Sequence, residues 1–130
     1  MTIFKITNRV MMLILVLLPV FIAGCKSEQE VSYTRDVKPI LTKYCTECHL
    51  PGGEGYNASG FGMESYADLM KGTRNGPMII AGDALGSNML VLMEGRADPS
   101  IKMPHGKSVS ANKIELETIR TWIKQGAQNN

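Results

Sequence analysis

The chain has no run of basic residues, and aromatic side chains make up only 6% of it. A nucleic-acid binder needs cations for phosphates and rings for bases, so that class is excluded. No segment alternates apolar and polar residues over the length of a strand, which excludes a substantial sheet. Internal repeats and low-complexity tracts are absent, which excludes a solenoid. Histidine and cysteine are rare, at two and three of 130 residues. Most of that small stock is concentrated, because Cys45, Cys48 and His49 fall within the five residues "CTECH".

A long membrane-spanning run is missing too. The apolar stretch "VMMLILVLLPVFIAG" is short for a spanning helix, which takes about 20 residues, and Pro19 interrupts it. It follows Lys5 and Arg9 with no acid before it, and it ends in small residues. That order reads as a signal peptide over residues 1–24; a single uncleaved membrane anchor is the alternative. The exit "IAGC" resembles the lipobox of bacterial lipoproteins, with Ile22, Ala23 and Gly24 in the aliphatic and small positions. The resemblance implies cleavage before Cys25 and lipid on its sulfur and new amino terminus. Two or more lipid chains hold a protein at a membrane where one does so marginally. A cysteine that merely follows a cleavage site is the other reading.

Removing 24 of the 130 residues leaves 106, with Lys5 and Arg9 gone and 12 basic residues against 12 acidic ones. The pI of about 8.5 therefore describes the precursor. The mature length is that of one domain with a modest core. Its formal neutrality offers no strong field to steer a charged partner.

Residues 25–32 read as a polar tether and 33–128 as the domain. "DVKPILTKYCTECH" predicts a helix with Asp36 as cap, Pro39 in the first turn and Val37, Ile40, Leu41, Tyr44 and Cys48 along one face. "LPGGEGYNASGFG" holds five glycines and a proline and predicts a loop that turns sharply or lies close to something. Short helices are predicted from Ser65 to Gly72 and from Ser87 to Gly95. "SANKIELETIRTWIKQG" predicts the clearest helix, capped by Ser110 and ended by Gly126. The class is all-α, a few short helices between long loops. Long loops in so small a domain imply that they cover something, and a bound cofactor would account for them.

Cys-x-x-Cys-His is the attachment signature of c-type haem. Residues three apart on a helical turn share a face, so Cys45 and Cys48 can both reach one edge of a flat ring. The next residue, His49, then falls under the ring centre as the proximal iron ligand. Three other uses of these residues are open. A thioredoxin-like pair would sit beside a βαβ pattern. A zinc site could take Cys45, Cys48, His49 and His105. A plain structural disulfide suits an oxidising compartment. Export favours haem, whose covalent attachment in bacteria takes place outside the cytoplasm.

The iron's other face needs a ligand or stays open. Of six methionines in the mature chain, Met70, Met89 and Met93 lie on predicted helix faces, Met78 adjoins an apolar run and Met63 is ambiguous. Met103 differs: it lies in the loop "IKMPHGK", among polar neighbours and ahead of Pro104, where an exposed methionine needs a reason. Ligation of haem iron supplies one. His105 is the rival, two residues on.

The ordered set of motifs resembles the small domains called planctomycete-type cytochrome c, over about Tyr33 to Ala127. The opening is Asp36, Val37, Pro39, Ile40 and Leu41 before Cys45, Cys48 and His49. The middle is Gly76, Pro77, Gly82, Asp83 and Ser87; the Met-Pro motif is Met103 and Pro104; the close is Trp122, Ile123, Gly126 and Ala127. The position after Met-Pro is commonly proline, and here it is His105. The resemblance implies a cytochrome c fold around one covalent haem c, with Cys45 and Cys48 as anchors and His49 and Met103 as axial ligands. It implies an electron carrier rather than an enzyme, serving redox partner proteins; the lipoprotein signal is what points to the periplasmic face. Lys26, after the lipid-bearing cysteine, favours the outer membrane over the inner, where aspartate is the retention signal. Trp122 is either core or a partner for a haem propionate. A haem enzyme or gas sensor with an open sixth position is one alternative, and a haem-free lipoprotein with a zinc or disulfide clip is another.

Overall fold

The computed structural model describes residues 29–106 and 108–130. The expected signal peptide over 1–24, the acylated Cys25 and Lys26 lie outside the described residues. Among the described residues no helix is long and apolar enough to cross a membrane.

The first helical turn among the described residues is capped one turn before Asp36. The Ser32 hydroxyl accepts from the Arg35 N–H at 3.2 Å, and the Asp36 carboxylate accepts from the Ser32 N–H at 2.8 Å. Ser32 is therefore the cap and Asp36 its reciprocal partner, which corrects the assignment of the cap to Asp36. A π-helical turn, Tyr33–Val37, follows and leads into α1, Lys38–Tyr44, with Pro39 in its first turn. The backbone breaks at Cys45, where φ is −122°, and α2 is the single turn Thr46–His49.

The glycine-rich stretch after it was expected to be loop throughout, yet it contains a helix, α3, Glu54–Ser59. Gly53 sits extended at its start and Gly60 ends it with φ 76°. The glycines that argue for a loop thus bracket a helix short enough to hide between them. Helix α4, Tyr66–Lys71, has the expected cap, with the Ser65 hydroxyl accepting from the Asp68 N–H at 3.1 Å, and the expected stop at Gly72. Helix α5, Asn88–Glu94, begins after Ser87 and ends at Gly95. Ser87 is buried, but its hydroxyl does not cap the helix. It accepts from the Ile80 N–H at 2.9 Å and donates to the Asp83 carbonyl at 2.7 Å, tying the preceding loop. A 3₁₀ turn, Pro99–Ile101, comes before the Met103 loop.

Helix α6, Lys113–Lys124, is capped by Asn112 rather than Ser110. The Asn112 side chain accepts from the Ile114 and Glu115 N–H groups, and the Glu115 carboxylate accepts from the Asn112 N–H at 2.8 Å. Two residues of the same polar class stand two apart, and only the second has its partner three positions on.

Among the described residues there is no strand, only two isolated bridges, Thr73 with Gly76 and Ile80 with Asp83. Val37, Leu69, Leu90, Ile119, Trp122 and Ile123 are fully buried and, with Ile40 and Leu41 of α1, draw the π-helical turn, α1, α4, α5 and α6 onto one core. Tyr33 stands edge-on to Tyr66 at 5.2 Å between ring centres and tilted against Trp122 at 5.6 Å. The Trp122 indole N–H donates to the Gln128 carbonyl at 2.9 Å, so this ring belongs to the core and its donor is taken. Residues read as tether are partly tied down: Val31 donates to the Gln125 side chain at 2.8 Å and the Ser32 hydroxyl to the Asn130 carbonyl at 2.8 Å.

Candidate functional site

Cys45, Cys48 and His49 come to one place through a single turn of helix. The Cys45 N–H donates to the Leu41 carbonyl at 2.8 Å, and the His49 N–H donates to the Cys45 carbonyl at 3.0 Å. All three side chains line a cavity of about 320 Å³ between α1–α2, α3 and α5. Its walls are mostly apolar, and its volume falls in the roughly 300–1,000 Å³ of cofactor sites.

His49 is held from two directions. Its Nδ1 lies 3.0 Å from the Phe61 carbonyl oxygen, which can only accept, so the bond requires the proton on Nδ1. In the neutral ring that leaves Nε2 with a free lone pair, the arrangement a backbone carbonyl imposes on metal-ligating histidines. On the other edge of the ring is Gly55. A Cβ there would lie 2.8 Å from Cε1 and 2.9 Å from Nε2. The expectation that the glycine stretch lies close to something is met here, and the neighbour is the imidazole. Phe61 also places its ring edge-on to His49, at 5.4 Å between centres.

Met103 and His105 both reach the cavity. The Met103 N–H donates to the Leu92 carbonyl at 3.1 Å, which pins its loop to α5. Met103 is half-buried against the core, not an exposed residue without apolar neighbours as its sequence context suggests. The polar loop around it conceals the apolar wall that α5 brings up. His105 remains exposed. Met63, Met78, Met89 and Met93 line the cavity as well, so core packing and cavity lining are here the same role. Gly55, Ser59 and the Phe61 carbonyl are site features that sequence reasoning does not single out; only the crowding of glycines hints at them.

Tyr44, on the cavity wall, is tied to an ion pair that lies outside the cavity lining. The Tyr44 hydroxyl donates to Glu115 at 2.9 Å, and Lys43 donates to the same carboxylate at 3.1 Å. The Asn112 N–H, then the Tyr44 hydroxyl and the Lys43 ammonium, hold the Glu115 carboxyl below the usual carboxylate range.

The other uses of the cysteines find less support. Among the described residues no three of His, Cys, Asp and Glu are grouped as a metal ion would require, so the zinc set of Cys45, Cys48, His49 and His105 has no geometric support although all four line the cavity. Cys45 and Cys48 are not joined in a disulfide. No βαβ unit stands beside them among the described residues. A covalent haem asks for two thiols on one turn, an imidazole beside them whose Nδ1 is engaged elsewhere and an apolar cavity, and these residues meet that requirement.

Comparison with curated proteins gives no match, and comparison with solved structures gives none either. Residues 45–106, from the first cysteine of the attachment motif to just past Met103 and Pro104, match the family described as planctomycete cytochrome c. The match omits the opening at Asp36 and the close at Trp122 and Gly126. A cytochrome c domain over these residues implies haem-based electron transfer by an electron carrier, and Cys45 and Cys48 point to covalent haem c.

Proposed function

We propose that the chain is a monohaem c-type cytochrome, anchored by lipid on Cys25 at the periplasmic face of a bacterial membrane, that passes single electrons between redox partner proteins. Cys45 and Cys48 would carry the thioether bonds, and His49 and Met103 would hold the iron. The observation that supports this best is the convergence of the two cysteines, His49 and Met103 on one apolar cavity. Bound haem supplies the one-electron ferrous–ferric couple. The protein sets where that couple sits and how it is poised. The Phe61 carbonyl engages His49 Nδ1 and so leaves Nε2 as the nitrogen that would face the iron. The apolar wall of methionines and Phe61 disfavours the extra positive charge of the oxidised state, which raises the potential. Thioether sulfur from Met103 acts in the same direction.

His105 lines the same cavity, which gives a second ligand set, His49 with His105, a specific basis. The deciding experiment is a gel stained for covalent haem followed by oxidised and reduced optical spectra with and without carbon monoxide. Covalent haem with a six-coordinate low-spin spectrum that ignores carbon monoxide is the expected result. Carbon monoxide binding would instead make the chain a sensor or haem enzyme, and absence of covalent haem would make it a haem-free lipoprotein.

A further inference from the structure

The His49 imidazole is bounded by the short segment from Gly55 to Phe61, Gly55 crowding one edge and the Phe61 carbonyl taking Nδ1. A single hydroxyl links these two contacts. Ser59 donates to the Gly55 carbonyl at 2.6 Å and accepts from the Phe61 N–H at 3.1 Å. The segment is a six-residue helix and its exit. Helices of this length do not persist on their own bonds, so something outside must hold it.

Arg74 does so. Its backbone N–H donates to the Ser59 carbonyl at 3.0 Å, Nη1 to Ala58 at 3.0 Å and Nη2 to Asn57 at 2.6 Å. One residue thus takes three consecutive carbonyls, the exposed last turn of α3, and sets a cation at the negative end of the helix. Gly60 makes room for it, since a Cβ there would lie 2.8 Å from the Arg74 Cγ. Arg74 does not itself line the cavity.

We propose that Arg74 is a positioning residue for His49. By holding the last turn of α3 it fixes the Phe61 carbonyl that keeps the Nδ1 proton and the Gly55 backbone that limits rotation of the ring. The inference rests on the reading of His49 as an iron ligand.

The test uses the haem-loaded, reduced protein and follows exchange of the His49 Nδ1 proton with solvent by proton NMR. Arg74→Met keeps the aliphatic stem and removes the guanidinium donors. Exchange should accelerate about tenfold, the ratio that loss of roughly one net hydrogen bond produces. Arg74→Lys, which can reach one carbonyl but not two, should give an intermediate rate. Arg120→Met is the control, because it breaks the pairing with Glu94 and Glu117 on α5 and α6 away from His49. It should lower the melting temperature and leave Nδ1 exchange as in the wild type. Wild-type exchange in Arg74→Met, or equal acceleration in Arg120→Met, overturns the positioning role. If Arg74→Met takes up no haem, Arg74→Lys and Arg74→Gln decide: graded acceleration supports the role and wild-type exchange overturns it. If His49→Ala leaves the spectrum unchanged, the ligand reading itself is wrong, an outcome separate from the fate of Arg74.

Discussion

At the scale of single residues, the Phe61 carbonyl engages His49 Nδ1 at 3.0 Å and leaves Nε2 as the nitrogen that would face a haem iron. On the proposed reading, the second ligand is a contest between Met103 and His105 in one loop. Met103→Ala is expected to remove the sulfur-to-iron absorption band of the oxidised protein. It should also lower the potential by a fraction of the roughly 0.8 V that axial ligands span. His105→Ala should leave the band in place and the potential nearly unchanged. The reverse pattern in oxidised spectra and potentiometric titration would assign the axis to His105. Gly55 provides a second residue-scale test, because only hydrogen fits between its backbone and the imidazole. Gly55→Ala is expected to push the ring aside and lower the fraction of six-coordinate low-spin haem; a wild-type spectrum would show that α3 gives way instead.

At the scale of elements, α6 depends on its first turn. Asn112→Ala should cost about 1 kcal/mol of stability in thermal melts of the loaded protein, the usual value of an N-cap, while Ser110→Ala should be silent. The same turn carries a pH dependence. The Glu115 carboxyl is held below its usual range by the Asn112 N–H, with Tyr44 and Lys43 adding to it. A carboxylate depressed in the folded state contributes stability that is fully present above its unfolded value, about 4.3, and is lost as pH falls through the folded one. Stability should therefore hold above about pH 5 and decline below pH 4. Glu115→Gln should flatten that decline. An unchanged acid slope in melts of that variant would assign the loss to other groups, Asp36 with its Arg35 partner first among them.

At the scale of the whole molecule, the cavity and the core share walls. Tyr44, Phe61, Met63, Met89 and Met93 are buried core residues that also line the cavity. A void of about 320 Å³ left in that position, at roughly 24 cal/mol per Å³, is worth up to about 8 kcal/mol, comparable to the 5–15 kcal/mol that small domains have in total. Cys45→Ala with Cys48→Ala should therefore lose covalent haem and melt broadly at low temperature by circular dichroism. A sharp, wild-type-like melt would show a core independent of any cofactor. If lipid on Cys25 anchors the chain as proposed, Cys25→Ser should release the protein from membrane fractions with its spectrum unchanged, because Cys25 is 20 positions before the first residue of the cavity motif, Cys45.

The sequence by itself determined the features whose physics is local. The spacing of Cys45, Cys48 and His49 sets a helical turn with its chemistry on one face. The all-α class, the Ser65 cap and the stops at Gly72 and Gly95 depend on residues within four or five positions of one another. What the tertiary structure decided involves partners far apart in the chain. Ser87 is spent on the Ile80–Asp83 loop rather than on its own helix. Met103 is half-buried because Leu92 and α5 come up beneath a loop that reads as polar. Helix α3 exists because Arg74 closes its last turn from 15 positions beyond Ser59. Periodicity and capping rules register only near neighbours, so they see the anchors of the site but not the backbone that holds His49 in place.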